Sequence, residues 1–387
     1  MLQRIRSPRS AALLAAAAAG LSLSAPAAAF ASSGQHPAAQ RSADRPGHHG
    51  RDVRLHQVNL ASDIPGKAPL TDPDLKNPWG VSLQPTSPLW VSDQGVDAST
   101  LYSLTPGSRT VTKVSTVRVT MAGSVLGPSG QVANTSKGFV LSNGKVRAPA
   151  AFIFATLDGH IEAWSPQVDP LIGNAEDKVT VAGAGYTGLA IASTTQGERL
   201  FAADFTKGTV DVFGSAFHQV KLGASQFRDP RLPKGYRPFN TQALNGRIFV
   251  AYDKANPATH RQAVGKGLGV VDEFSTGGHL IARIATGGAL NAPWGMAIAP
   301  SGWGSTAGSL LVGNFGGGHI NIIAKEGNHF AHKVTGQVRV MSTGRPFAEP
   351  GLWALLPGTA TTGGSQALWF TAGINHEQNG LLGVLRR

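Results

Sequence analysis

The sequence of 387 residues contains no cysteine, and this absence removes several kinds of chemistry. Disulfide bonds, thiolate nucleophiles, lipidated cysteines and cysteine-ligated zinc or iron–sulfur centres are all excluded. Acidic residues are also scarce, with 22 Asp and Glu against 34 Lys and Arg. The fold must therefore be held by its hydrophobic core and by the way in which its elements close on one another.

The chain is basic, with a formal net charge of +12 at pH 7. Such a balance favours acidic partners such as polysaccharides or cell-envelope phosphates, or it reflects general surface chemistry. Lys and Arg are scattered, and no basic run and no stripe of alternating basic and aromatic residues indicates nucleic-acid binding. We therefore expect a glycan, a peptide or an anionic envelope polymer as partner, and no nucleic acid.

The first 31 residues have the layout of a secretory signal peptide, with arginines before an apolar stretch at 11–23 and small residues around Ala29 and Ala31. The apolar stretch is too short to favour a transmembrane helix. Residues 32–52 are polar and rich in Pro and Gly, which predicts a disordered linker. The sequence thus predicts a secreted protein with no membrane span in the mature chain.

From residue 53 onward a short phrase returns, Asn-Pro-Trp-Gly-Val at 77–81 and Asn-Ala-Pro-Trp-Gly-Met at 291–296. Each copy is followed by an apolar stretch, a turn and a second apolar stretch that ends in a small polar residue. Six such units begin near residues 80, 150, 188, 242, 295 and 353. This repetition of strands predicts an all-β fold, a six-bladed β-propeller over residues 53–387. The alternating residues Val53 to Leu60 are expected to supply the outer strand of the last blade and close the ring.

Four phrases carry a family resemblance: SDIPGKAPLTDPDLKNPWGVSLQPTSPLWVSDQG, NAPWGMAIAP, LLVGNFGGGHINII and LWFTAGINHEQNGLLGVL. They resemble a family of exported, uncharacterised bacterial β-propellers with NHL-like repeats, some members of which carry a PEP-CTERM sorting tail. This chain ends at Arg387 without an apolar anchor segment, so soluble release is expected. More distantly, the units resemble gluconolactonase, regucalcin and streptogramin-lyase propellers, which implies metal-dependent chemistry at the central funnel.

Functional side chains are expected on one face of the propeller. Because strands alternate in direction, the loop leading into an innermost strand and the loop joining the second and third strands open on the same side, which we call the funnel face. The leading loops bring Asn77, Trp79, Asn240, Asn291, Trp294, Glu349 and Trp353 to it. The second loops bring Asp93, Asp158, Asp204, Asp253, Asn314 and the insertion at 375–379.

Oxygen ligands on this face suggest a hard cation such as Ca²⁺, which takes six to eight oxygens from carboxylates, amides and carbonyls. We name Glu349, Asp204, Asp253 and Asn314 as candidate metal ligands. A metal held there would polarise a lactone carbonyl or activate water. The alternative is that each Asp or Asn only caps its own tight turn.

Three tryptophans and three asparagines are candidate ligand-binding residues, since an indole stacks on a sugar and an amide bonds it. These are Trp79, Trp294, Trp353, Asn77, Asn240 and Asn291. The alternative for the indoles is packing between blades.

His376 and Glu377 occupy a polar insertion where the other units turn tightly. A histidine beside a carboxylate serves as general base or metal ligand, so both are candidate catalytic residues. The alternative is a solvated loop.

Two functions follow from these patterns. The first is a secreted, monomeric binding or scaffold module whose funnel holds a glycan, a peptide or an envelope polymer. The second is a metal-dependent hydrolase or lyase acting on a lactone or cyclic ester. The mature chain has no GxSxG, HExxH or P-loop motif, so the sequence favours the binding module.

Overall fold

The computed structural model describes residues 52–104 and 110–387. The predicted signal peptide, residues 1–31, and the predicted linker, residues 32–52 apart from Asp52, lie outside the described residues. Within the described part, short β-strands pair with their neighbours and helical structure is confined to short turns, so the fold is all-β as predicted. No described helix has the length and apolarity that crossing a membrane requires.

Most strands belong to antiparallel meanders that run outward from an innermost strand. The innermost strands are Pro78–Ser82, Pro128–Ala133, Tyr186–Thr194, Tyr236–Leu244, Pro293–Ile298 and Leu352–Pro357. The second strands are Leu89–Asp93, Phe152–Thr156, Gly197–Asp204, Arg247–Lys254, Leu310–Asn314 and Ala367–Ala372. The third strands are Ala98–Leu104, His160–Trp164, Thr209–Gly214, Val270–Ser275, Ile320–Ile323 and Leu381–Arg386.

Outer strands complete most of these meanders, and they are Arg118–Thr120, Glu176–Thr180, Leu280–Thr286, Gly336–Val340 and Val53–Ser62. Shorter strands pair beside them or form hairpins: Leu70–Thr71, Val111–Lys113, Val140–Ser142, Arg147–Pro149, Ile172–Asn174, Lys325–Glu326 and His329–Phe330. The helical turns are Gln94–Val96, Ser301–Thr306, Gly364–Gln366 and Ile374–Glu377.

The innermost strands pack side by side around one axis. Each lies beside the innermost strand of the next meander, and the last, Leu352–Pro357, lies beside the first, Pro78–Ser82. Apolar side chains fill the space between adjacent meanders, as where Phe201 of one shares a buried cluster with Ile248 of the next. Meanders that radiate from a closed ring are the architecture of a β-propeller.

The N-terminal strand joins the two ends of the chain. Val53 to Leu55 pair in parallel with Val338 to Val340. From His56 to Ser62 the same strand pairs antiparallel with Leu381–Arg386, the third strand of the last meander. This pairing is the one predicted from the alternation of apolar and polar residues, which buries Val53 and Leu55 and exposes Arg54 and His56.

One predicted unit is misplaced by a strand. The sequence pattern put an innermost strand near residue 150, whereas Phe152–Thr156 is the second strand of its meander. The innermost strand there is Pro128–Ala133, which packs between Pro78–Ser82 and Tyr186–Thr194. Its sequence, PSGQVA, has no apolar alternation and lacks the tryptophan found in three of the other innermost strands, so periodicity did not reveal it.

We expect ring closure to be a major source of stability. Leu55 is fully buried in a cluster that joins the last two meanders, so Leu55→Ala should lower the free energy of unfolding by about 2–5 kcal/mol. Urea denaturation followed by tryptophan fluorescence measures the change. The exposed neighbour gives the control, His56→Ala, for which we expect a change within about 0.5 kcal/mol. Equal losses for both variants would contradict a stabilising closure by this strand.

Candidate functional site

Side chains at the ends of the second strands tie the funnel face together. Asn314 Oδ1 accepts the backbone N–H of Asn291 at 3.0 Å. Asp204 Oδ1 accepts the backbone N–H groups of Gly185 at 3.1 Å and Lys207 at 2.9 Å. These bonds join a loop that leads into an innermost strand to the end of a second strand. The two kinds of loop therefore open on one face, as the alternation of strands predicted.

The candidate metal ligands do not form one site. Within residues 52–104 and 110–387, no group of three or more His, Asp or Glu side chains is arranged to hold a metal ion. Asp253 Oδ1 accepts the N–H of Lys254 at 2.7 Å and so caps its own turn, as Asp204 does. Asn314 instead bonds the loop that leads into the innermost strand, at the N–H of Asn291 and the carbonyl of Ala289. Glu349 lies apart from this capping set, and the four residues do not fit a shared Ca²⁺ site.

Burial changes the protonation of these carboxyl groups. Burial raises the pKa of Asp253 to about 8, and the hydrogen bond from the Lys254 N–H only partly opposes it. The pKa of Asp204 is raised for the same reason. In both residues the second carboxyl oxygen is buried without a hydrogen-bond partner in the described part of the chain. A carboxyl with a pKa of about 8 is mostly protonated and neutral at pH 7.

The three predicted tryptophans do lie together, at the axis of the ring. Trp79 and Trp353 stack with ring centroids 3.6 Å apart, and Trp294 meets them edge-on at 6.1 and 5.7 Å. Phe239 and Phe315 contact Trp353 at 6.0 and 4.3 Å. We call these five side chains the aromatic plug. The three indoles are at most 4% exposed, so packing between blades is the arrangement observed.

The predicted asparagines hold the plug and its surrounding loops. Asn77 Oδ1 accepts the indole N–H of Trp353 at 3.0 Å. Asn240 donates Nδ2 to the carbonyl of Trp294 at 2.8 Å. Asn291 accepts a backbone N–H of a neighbouring loop at 2.7 Å. All three side-chain amides thus form hydrogen bonds within the protein, and their binding to a ligand stays a prediction.

A cavity of about 690 Å³ opens on the funnel face beside the plug, and we call it the mouth. It contains two of the predicted site residues. Its apolar wall includes the partly exposed ring of Phe315, and its polar groups include two charged side chains. Its lining residues include Ile64, Lys67, Val264, Phe315, Glu349 and His376.

Glu349 is the half-buried carboxyl of the mouth. Its Oε2 accepts a hydrogen bond from Gln57 Nε2 at 3.2 Å, which links it to the closing N-terminal strand. Burial raises the pKa of Glu349, and the positive charge of Lys67 acts in the opposite direction. The mouth therefore holds a carboxyl group and a lysine close enough for the positive charge of the lysine to affect the pKa of the carboxyl.

The rim next to His376 is strained. Asn375, His376 and Glu377 are consecutive non-glycine residues with φ of 53°, 56° and 68°, a conformation that costs on the order of 1–3 kcal/mol each. Glu377 is held by Arg261 Nη2, at 2.5 and 2.7 Å, and by Asn77 Nδ2 at 3.3 Å. These bonds fix the turn and leave His376 exposed at the mouth. Because Glu377 is engaged by Arg261, catalysis by His376 and Glu377 stays a prediction.

Sequence reasoning missed the cationic loop that forms one side of the mouth. Residues 254–269 contribute Val264 to the lining and also carry Lys254, Arg261 and Lys266, which are exposed. This segment contains no Asp or Glu. The lack of acidic residues could have identified this loop as cationic from the sequence. Its basic residues are spread over thirteen positions, however, and so form no basic run.

A series of polar residues in the third strands was also missed. Each lies opposite a buried residue of the second strand, and the series is Thr100, Glu162, Asp211, Asp272 and Asn321. Glu162 holds a loop of the funnel face in place, since its carboxylate accepts backbone N–H groups from residues 122–124. In the sequence, each could have been recognised as a polar residue within an apolar strand that follows a glycine-containing turn. Asn321 likewise bonds the Ala289 carbonyl of a leading loop, whereas Asp211 and Asp272 bond side chains of neighbouring strands, Tyr186 and Arg283.

Comparison with known proteins gives relatives along most of the chain. The uncharacterized protein L690 of Acanthamoeba polyphaga mimivirus is 31% identical over 342 residues, 87% of this chain and 87% of the relative. The uncharacterized protein R648 of the same virus is 29% identical over 343 residues, 87% of this chain and 81% of the relative. Both are viral, whereas the sequence resemblance pointed to bacterial proteins. No family model matches the chain.

Solved propellers share the fold. An α-L-arabinofuranosidase of Fusarium graminearum in complex with an iminosugar inhibitor aligns with a TM-score of 0.53 at 12% identity, over 86% of this chain and 97% of the other. An α-L-arabinanase of Penicillium chrysogenum complexed with arabinobiose gives 0.51 at 12% identity, over 86% and 97%. A streptogramin B lyase gives 0.47 at 9% identity, over 86% and 97%. At these identities the likeness shows a propeller fold.

The buried carboxyl of Asp253 should make stability depend on pH. Its pKa is about 8 in the folded chain and about 4 when unfolded, so the folded state binds one more proton between these values. The resulting stability is complete below pH 4 and is lost as pH rises through 8. Asp253→Asn should remove at most about 4 kcal/mol of this change between pH 5 and pH 8.

Urea denaturation at several pH values measures this slope. The exposed carboxyl of Glu326 provides the control, Glu326→Gln, which should leave the slope unchanged. A slope that is the same in Asp253→Asn and the parent protein would show that Asp253 is ionised in the folded state.

Proposed function

Since the chain belongs to the same family as the uncharacterized mimivirus protein L690, no activity passes to it from a relative, and we propose a function from its own geometry. The protein is a binding module that holds an anionic glycan in the mouth of its funnel face. The observation that carries this proposal is the mouth itself, where a partly exposed aromatic ring lies between cationic loops at the axis of the propeller.

The charge around the mouth supports an anionic ligand. Lys67 stands opposite Glu349, and Arg261 is paired with Glu377, so these charges offset one another. Lys254 and Lys266 are exposed on the same side and form no ion pair with any described residue. The surplus at the rim is thus positive, and it would attract carboxylates or sulfates before contact.

The aromatic plug supports a ligand that lies across the mouth. Phe315 is partly exposed while its other side is packed on Trp353, 4.3 Å away, so its ring is held rigidly. A flat apolar ring flanked by Ile64 and Val264 suits the less polar face of a pyranose. Because the plug fills the axis, a polymer would lie on the funnel face and would not enter the channel. The arabinanase with bound arabinobiose shows a saccharide on another propeller.

Three further features belong to this proposal. The meanders are six blades, one for each innermost strand given above. The N-terminal segment directs secretion, so that the protein meets envelope or extracellular glycans. The mature protein acts as a monomer, in which one mouth binds one glycan segment. The alternative, a metal-dependent hydrolase or lyase of lactones, finds no support in the ligand geometry, since Asp204 and Asp253 cap turns and Asn314 bonds the loop at 289–291.

We expect an alginate hexamer, which carries one carboxylate on each sugar, to bind the protein in isothermal titration calorimetry. Cellohexaose, a neutral hexamer, should bind at least about tenfold more weakly, and salt should weaken the alginate complex. Phe315→Leu keeps an apolar contact with Trp353 but removes the ring face, and it should weaken binding about fivefold. Lys67→Ala should weaken it about threefold.

The matched control is Lys145→Ala, which removes an exposed lysine from a hairpin that does not line the mouth. It should bind alginate like the parent protein. No binding of either hexamer, or equal binding by Phe315→Leu and the parent, would overturn the assignment of the mouth as a site for acidic glycans.

A further inference from the structure

Among the strands in residues 52–104 and 110–387, one meander has no outer strand. It consists of Tyr186–Thr194, Gly197–Asp204 and Thr209–Gly214, whereas every other meander is completed by a further strand. The chain beyond Gly214 pairs only briefly, through a bridge between Phe213 and Gln219, and then leaves the sheet. The edge of the third strand is therefore left open along its first half.

The open edge presents backbone groups that can pair with another strand. The carbonyl of Val212 faces outward, because it accepts the N–H of Val220 at 2.7 Å. Backbone groups alternate in direction along a strand, so the N–H of Val212 and both backbone groups of Val210 face the same way. Val220 occupies the position opposite Val212, so the groups left for a further strand are the N–H and the carbonyl of Val210, to which no backbone hydrogen bond is found among residues 52–104 and 110–387. Unpaired edges of this kind are templates for strand addition.

A slot lies beside this edge, where the missing strand would run. It has a volume of about 490 Å³ and is bounded by Gly208 to Val212 on one side and Gln219 to Arg228 on the other. Its far wall carries the apolar side chains of Val220, Leu222 and Phe227 and the basic side chains of Lys221 and Arg228. Neighbouring strands lie about 4.8 Å apart, so an extended segment can pair with the edge and place alternate side chains on this wall.

The far wall of the slot is anchored and does not depend on a partner for its shape. Phe227 donates its backbone N–H to the Gly278 carbonyl at 2.8 Å, and its ring lies 5.5 Å from those of Phe201 and Phe274. Gln226 adds a bond from Nε2 to the Gly277 carbonyl at 2.6 Å. A preformed slot costs less ordering entropy when a segment binds.

The charge of this wall identifies the kind of segment. Between residues 218 and 234 the chain carries four basic side chains, Lys221, Arg228, Arg231 and Lys234, all of them exposed or partly exposed. The one acid there, Asp229, is buried and paired with both Arg283 and Arg231, which leaves Lys221, Arg228 and Lys234 as the basic side chains that define the charge of this wall. We propose that the slot takes an extended acidic peptide segment of a partner protein, which pairs with the open first half of Thr209–Gly214. This proposal does not depend on the mouth.

A random dodecapeptide library displayed on phage and selected on the full chain tests the proposal. We expect enriched sequences in which Asp or Glu alternates with Val or Ile. A synthetic peptide of the most enriched sequence should slow amide hydrogen exchange at Val210 more than at amides outside the slot, and this difference separates strand addition from general stabilisation of the fold. The double variant Lys221→Glu and Arg228→Glu should bind it about tenfold more weakly.

The matched control is Lys145→Glu, an equal reversal of an exposed lysine outside the slot, which should keep full affinity. Selection that yields no acidic peptide dependent on Lys221 and Arg228 would overturn the proposal. So would binding that leaves exchange at Val210 unchanged. Heparin that binds the same loop and is lost in the double variant, while no peptide protects Val210, would identify a polyanion site and overturn strand addition.

Discussion

The pairing of the N-terminal strand with the last meander is the interaction on which the other features depend. No disulfide is available to join the ends of the chain, so the ring is held by hydrogen bonds and burial along Val53–Ser62. The same strand positions the mouth. Gln57 bonds Glu349, and the chain that follows Ser62 supplies Ile64 and Lys67 to the lining. An open ring would therefore lose the mouth as well as its stability.

The axis imposes a second constraint, which explains why the Trp-Gly pair recurs. A Cβ at Gly295 would lie 2.4 Å from the carbonyl oxygen of Trp353, and one at Gly80 would lie 2.6 Å from that of Ser129. Only glycine lets the innermost strands approach so closely. The tryptophan before each of these glycines then fills the space at the centre of the ring. The repeated phrase is thus required by packing, and it marks the axis.

The sequence allowed the fold to be predicted better than the site, for a physical reason. Strand periodicity and the Trp-Gly phrase are local patterns, so the all-β ring and the closing strand could be read from them. Pro128–Ala133 was missed because a strand whose neighbours bury it needs little apolar alternation of its own. The predicted metal set failed because second-strand acids cap their turns, as Asp204 does. Whether such oxygens converge depends on distances around the ring, which one chain does not encode locally.

The distribution of the acids makes the surface more basic than the composition implies. Of the acids in the described residues, eight are buried: Asp72, Asp93, Glu162, Asp204, Asp229, Asp253, Asp272 and Glu273. No Lys or Arg in residues 52–104 and 110–387 is buried to that degree. Burial also raises the pKa of Asp253 to about 8 and of Asp272 to about 7, so these carboxyls are wholly or partly neutral at pH 7. Some buried acids cap turns, as Asp204 does, and others pair with Lys113 or Arg283, whereas most of the basic side chains are exposed. A positive surface on this scale follows from the way the fold uses its few carboxylates, and it favours anionic partners at both the mouth and the slot.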